Sequence, residues 1–283
     1  MIKTTRGFTL IEMAIVLIII TILIGGLAVP LSAQIQARRI AETKKIMEEA
    51  REAIVGYAMS HSCSCVYDAT GTLIPATPTP SPTTCTSTCP ANDSSLAGVT
   101  LQHAYLPCPD TSGTTNGNED RNFASGACEE QVVGSGLSHG YLPWVTLGVA
   151  QQDAWGNRLL YAVNTTYSHK YRGFSTSTAL DDPLQICSTH SCATPDVAAN
   201  VVFVLASFGP NGWGALNVNG NTLAAPTGAD ELENKEIPPD STYVSRIPTQ
   251  VGGPGGEFDD LLVWVSDSLL KARVCPTGSS CSP

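Results

Sequence analysis

Ten cysteines and one isolated carboxylate are the side chains of this 283-residue sequence best suited to chemistry. The cysteines are Cys63, Cys65, Cys85, Cys89, Cys108, Cys128, Cys187, Cys192, Cys275 and Cys281, all beyond residue 60. An even number of closely spaced cysteines indicates disulfides formed in an oxidising compartment. Short loops close most easily, which favours Cys108–Cys128, Cys187–Cys192 and Cys275–Cys281. The first four allow three pairings, and links from Cys63 and Cys65 to Cys85 and Cys89 avoid a strained Cys63–Cys65 bond. A zinc site on those four is the alternative. Their C-x-C and C-x-x-x-C spacings differ from the paired C-x-x-C of zinc ribbons.

The isolated carboxylate is Glu12, the only charge from Phe8 to Gln36. Met13 to Val29 is almost continuously apolar, and ~20 such residues cross a bilayer as a helix. Lys3 and Arg6 precede it, which places the short leader in the cytoplasm and everything after the span outside. A carboxylate within a bilayer is costly unless paired. No cation in the apolar stretch can pair with it, so its partner must come from elsewhere.

The element that carries Glu12 continues past the apolar run. Ile40, Met47, Ala50, Ile54 and Tyr57 recur at helical spacing between charged residues, the pattern of an amphipathic helix. A single helix from Phe8 to Ser60 would be roughly 80 Å long. Gly25, Gly26 and Pro30 predict a kink or local melting within it. A cleavable secretory signal would instead end near Leu31-Ser32-Ala33 and leave Gln34 as the mature start. Its apolar run would be shorter and uncharged.

The segment Arg6-Gly7-Phe8-Thr9-Leu10-Ile11-Glu12 resembles the processing site of type IV pilins and of the pseudopilins of type II secretion systems. The resemblance implies that a prepilin peptidase cuts between Gly7 and Phe8 and methylates the new amine of Phe8. It also implies that Glu12 pairs with that amine on a neighbouring subunit. The expected partners are other pilin-like subunits, the peptidase and an inner-membrane assembly platform. The expected location is the bacterial inner membrane, single-pass with the C-terminal domain outside, and then a pilus or pseudopilus. On this reading residues 1–7 are the leader, 8–33 the transmembrane and assembly helix, and 34–60 its amphipathic continuation. Residues 61–105 form a Cys/Pro/Thr-rich insert, and 106–283 a disulfide-stapled globular domain.

The exported part is acidic. The chain holds 25 Asp and Glu against 15 Lys and Arg, a net charge of −10, which disfavours general nucleic-acid binding. Prolines between Ile74 and Pro90 predict an extended surface segment. Leu159 to Val163, Val201 to Leu205 and Leu261 to Val265 read as buried strands, and Ser268 to Val274 as a closing helix. The fold class is α+β: a long N-terminal helix, membrane-spanning in its first half, packed on a small antiparallel sheet in the pilin manner.

Two turns extend the resemblance. Asp153-Ala154-Trp155-Gly156-Asn157, followed by Tyr161, is similar to the D-P-W-G-x-P-Y segment of the major pseudopilin. Ser207-Phe208-Gly209-Pro210-Asn211-Gly212, followed by Asp230-Glu231, is similar to its calcium-binding S-x-G-x-D-G loop. Calcium on Asn211, Asp230 and Glu231 is therefore implied by resemblance, with Asn211 standing where the relative has an aspartate. A metal-free turn is the alternative.

Enzymatic chemistry is not expected. His61, His103, His139, His169 and His190 are scattered, and no nucleophile-elbow, zinc-protease, phosphate-loop or dinucleotide motif occurs. Asp181-Asp182 and Asp259-Asp260 are adjacent pairs, which a strand would point to opposite faces. The sequence supports a structural subunit of a pilus or pseudopilus. A minor tip subunit for adhesion or DNA uptake is the nearest alternative, and a membrane-anchored exported binding domain or enzyme the one of another class.

Overall fold

A computed structural model of the chain describes residues 9–74, 85, 89, 92, 94–112, 116–122, 124–129, 136–235, 240–253, 255–279 and 281; the side chains of 25–30 lie outside the description. Helix α1 spans Leu10–Ser60 and is followed by strands β1 (Ser62–Val66), β2 (Thr100–Ala104) and β3 (Leu137–Tyr141). Then come α2 (Trp144–Leu147), β4 (Leu160–Asn164), α3 (Thr165–Ser168), β5 (Leu184–Cys187) and β6 (Ala198–Ser207). The chain closes with α4 (Ala229–Lys235), β7 (Thr242–Val244), β8 (Leu261–Ser266) and α5 (Asp267–Val274).

The α+β class is as the sequence indicates. Helix α1 stays helical through Gly25, Gly26 and Pro30, so of the kink or local melting expected there, the melting does not occur. Its 51 residues make it about 77 Å long. Among the described residues no helix is long and apolar enough to cross a membrane.

The main sheet has six strands in the order β3-β4-β6-β5-β7, with β8 on the other side of β6. Every pairing is antiparallel except β5 with β7, which run parallel, so the sheet is mixed rather than purely antiparallel. Strands β1 and β2 form a separate antiparallel pair within the 61–105 insert, on either side of the stretch expected to be extended. Most of the proline-rich Ile74–Pro90 stretch lies outside the described residues.

Strand alternation divides the core between the two faces of the sheet. Tyr161, Val163, Phe203, Leu205 and Val265 face α1 and bury Met47, Ala50, Ile54, Val55 and Ala58. Leu160, Ala162, Val204 and Ala206 point the other way and pack with Leu184, Ile186, Phe208 and Tyr243. Because β4 and β6 are covered on both sides, their sequences read as continuous apolar runs.

Polar contacts fix the helix on this sheet. Ala154 N–H donates to Thr43 Oγ1 at 3.1 Å, and Thr43 is fully buried on α1. Tyr57 Oη donates to Glu119 Oε1 at 3.0 Å, and Arg121 meets the other Glu119 oxygen at 2.9 Å. Arg121 also donates to the carbonyls of Leu106, Gly126 and Ser168, so its buried charge is well supplied with acceptors. Arg273 on α5 makes a two-pronged contact with Glu52 at 2.9 and 2.6 Å.

Apolar burial should outweigh that last pair. Ile54→Ala removes a fully buried side chain and should cost ~2–5 kcal/mol. Arg273→Ala breaks a half-exposed pair and should cost no more than ~1 kcal/mol. The Arg273 guanidinium holds the Glu52 carboxyl down at about 2. A lowered carboxylate pKa stabilises the fold above the ordinary value of 4.5, and that part is lost as pH falls toward 2. Denaturant melts should give this ranking, and the wild-type advantage over Arg273→Ala should vanish in acid.

Candidate functional site

The start of α1 is built by its own first turn. Thr9 caps the helix: its Oγ1 accepts from Glu12 N–H at 3.3 Å, and Glu12 Oε2 accepts from Thr9 N–H and Thr9 Oγ1, each at 2.8 Å. This reciprocal arrangement satisfies helix-end donors that would otherwise be orphaned. The Thr-x-x-Glu spacing is the sequence signal for it, which attention to Glu12 as a lone charge overlooks. Thr9 offers neutral donors through one carboxylate oxygen, so no cation is supplied from within the described chain. Gly7 and Phe8 lie outside the described residues.

Beyond the cap, α1 leaves the body of the molecule with its apolar side chains bare. Leu10 is 90% exposed, Ile22 68% and Ile24 64%, and Leu31 and Ile35 continue the series. Isolated exposed apolar residues are ordinary, whereas a contiguous surface of this length marks an association surface.

The cysteines form five disulfides. Cys63 joins Cys85 and Cys65 joins Cys89, with Cα separations of 5.0 and 5.5 Å. Cys108 joins Cys128, Cys187 joins Cys192, and Cys275 joins Cys281. With their sulfurs bonded to one another, Cys63, Cys65, Cys85 and Cys89 offer no thiolate to zinc. Period-two alternation in Ser62–Val66 turns both Cys63 and Cys65 inward, beside Tyr67 and Leu101.

The loop between β6 and α4 brings together a different acidic set from Asn211, Asp230 and Glu231. Asn211 Nδ2 donates to Glu231 Oε1 at 3.0 Å, and the same oxygen accepts from Asp259 N–H at 3.1 Å. Asn211 N–H donates to Asp259 Oδ2 at 3.1 Å. Gly209 has φ 60°, and a Cβ there would lie 2.3 Å from the Asp259 carbonyl oxygen, so this approach requires glycine.

Asp230 faces elsewhere. Arg246 Nε lies 2.7 Å from its Oδ2, and His190 N–H donates to its Oδ1 at 2.9 Å. Burial would raise the Asp230 pKa, but the bonds from His190 and Arg246 prevail and hold it below the ordinary value. The residues that do converge are Glu231, Asp259 and Asp260, whose carboxylate oxygens lie within 4.8 Å of one another. Burial raises all three pKa values, that of Asp259 to about 7. Glu231 Oε2 and Asp259 Oδ1 are buried without a hydrogen-bond partner. Of the three, Asp259 also lines a surface cleft of about 600 Å³, with Glu257 and Phe258.

The Asp153 turn serves the fold. Asp153 Oδ1 accepts from the N–H groups of Trp155 and Asn157, both at 2.9 Å, and Oδ2 from Ser207 Oγ at 2.8 Å. It thereby clamps the turn that receives Thr43 to the end of β6.

No curated protein and no solved structure matches the chain. A family model does match, over residues 2–28, and its description is a prokaryotic N-terminal methylation motif. The matched segment holds Gly7, Phe8, the Thr9–Glu12 cap and the bare apolar start of α1. The chain therefore carries the signature of type IV pilins and pseudopilins, the mark of a pilin-like protein processed by prepilin peptidase.

Proposed function

We propose that this chain is a structural subunit of a type IV pilus or a type II secretion pseudopilus, with no enzymatic role of its own. The observation that carries the reading is the exposed apolar first half of α1, which begins at the methylation motif and at Glu12. Before assembly, residues 8–33 cross the inner membrane, with Lys3 and Arg6 on the cytoplasmic side. On assembly, the helices of neighbouring copies cover one another's bare surfaces. Glu12 keeps one oxygen on the Thr9 cap, and its other oxygen accepts from the methylated amine of Phe8 on a neighbour. The ammonium supplies the charge that Thr9 lacks, and breaking such a buried pair typically costs ~3–5 kcal/mol.

N-terminal sequencing of the exported protein should begin at N-methyl-Phe8, and Gly7→Val should leave the precursor uncut in the membrane. A mature start at Gln34 would mean an ordinary signal peptide and would defeat the reading. Glu12→Ala should be cut and exported but assemble poorly. Sheared filaments as abundant as wild type would show that the Glu12 pair is not what joins subunits.

A calcium ion is the second part of the reading, favoured by the unpartnered oxygens of Glu231 and Asp259. Three carboxylates supply hard oxygen ligands, and a divalent cation would offset the repulsion that burial creates among them. Glu231, Asp259 and Asp260 would hold the ion, while Asp230 stays with Arg246. Calcium at ten times its dissociation constant should add ~1.4 kcal/mol, or roughly 3–5 °C in a thermal melt. Glu231→Gln should remove that shift, whereas Asp230→Ala should lower the melt yet preserve the shift. A wild-type melt that is indifferent to millimolar calcium and to chelator would leave the loop metal-free.

A further inference from the structure

Where α1 leaves the body of the molecule, its side opposite Met47, Ala50 and Ile54 carries Arg38, Glu42, Lys45 and Glu49, all exposed. Steps of four, three and four residues place them on one stripe of the helix, and their signs alternate. Internal pairing does not account for the stripe. Among the described residues Arg38 and Glu42 make no ion pair, and Lys45–Glu49 spans 3.5 Å with both side chains more than half exposed. A lysine that precedes its glutamate is also the weaker order for a pair within one helix, worth under ~0.5 kcal/mol.

We propose that this stripe sets the register between copies of the chain. Neighbouring helices would pack in parallel, slid by four residues, with Arg38 and Lys45 of one copy level with Glu42 and Glu49 of the next. The proposal rests on the filament reading above and adds to it the partner surface and the offset. A slide of zero or seven residues sets like charge against like, while a slide of four, about 6 Å, sets Arg38 and Lys45 of one copy against Glu42 and Glu49 of the next. Phe8 and Glu12 are also four residues apart, so one displacement satisfies the amine pair at the base of the helix and the stripe further along it. The occupant is a second copy because the bare residues Leu31 and Ile35 run directly into the stripe and need an equally apolar helix beside them. Copies of net charge −10 repel at long range, and a local alternation of this kind keeps like charges apart at the contact itself.

The test uses the full chain in its host. An acidic-stripe variant, R38E/K45E, and a basic-stripe variant, E42K/E49K, each place like charges together at the four-residue slide. Each alone should yield at least about tenfold fewer sheared filaments than wild type. Co-expression of the two should restore filaments that contain both variants, although the repulsion within each helix is unchanged. The fourfold exchange R38E/E42R/K45E/E49K keeps the alternation and should assemble like wild type. Detection of N-methyl-Phe8 in every variant verifies membrane insertion and processing. Normal yields from either variant alone, or no restoration on co-expression, would overturn the register while leaving the filament reading intact. A wild-type chain that forms no filaments would overturn both.

Discussion

The contact between α1 and the six-stranded sheet is the interaction on which everything else depends. Met47, Ala50, Ile54, Val55 and Ala58 occupy one stripe of the helix and fill the face made by β4, β6 and β8. Without it the sheet would present one open apolar face, and the helix would have no fixed direction. Apolar area dominates this contact, and the polar groups set its position. Thr43, Glu52 and Tyr57 each bind a different part of the domain: the Asp153 turn, α5 and the Cys108–Cys128 loop. The helix is thereby held at three points along its length.

The same helix carries two surfaces with opposite requirements. From Met47 onward its apolar stripe is satisfied within the chain, whereas from Leu10 to Ile24, and again at Leu31 and Ile35, the apolar side chains are exposed. So much bare apolar surface marks a site of association, and the methylation motif stands at its beginning. The acidic, disulfide-linked body lies at the other end. Polar solubility and apolar association are thus separated along one helix rather than across one domain.

Much of this was legible in the sequence because the signals are local. The helix is written in the recurrence of Ile40, Met47 and Ile54, and the central strands in the apolar runs at Leu159, Val201 and Leu261. The motif at Gly7–Glu12 is contiguous. What escaped was non-local or masked by composition. Strand β1 carries serines and cysteines in place of β-branched residues, and β7 is three residues long and runs parallel to β5, which no local pattern announces. The carboxylate cluster depends on Asp259, which precedes β8 and reaches Glu231 across 28 positions of sequence. Asp230 and Glu231 are neighbours on α4, and successive helical residues diverge by about 100°. One therefore meets Arg246 while the other meets Asn211.

The order of the cysteines has a consequence for how the chain matures. Three disulfides join cysteines that are consecutive in the sequence, so an oxidant acting on the chain as it emerges from its N-terminus would make them directly. The first four interleave, Cys63 with Cys85 and Cys65 with Cys89. Joining them in order of arrival would give Cys63–Cys65 and Cys85–Cys89, neither of them native. Thiol–disulfide exchange, in which a free thiolate attacks an existing bond, would correct that product. If pairing followed order of arrival, maturation of the β1–β2 layer would call for an isomerase, whereas the rest of the domain would need only an oxidase.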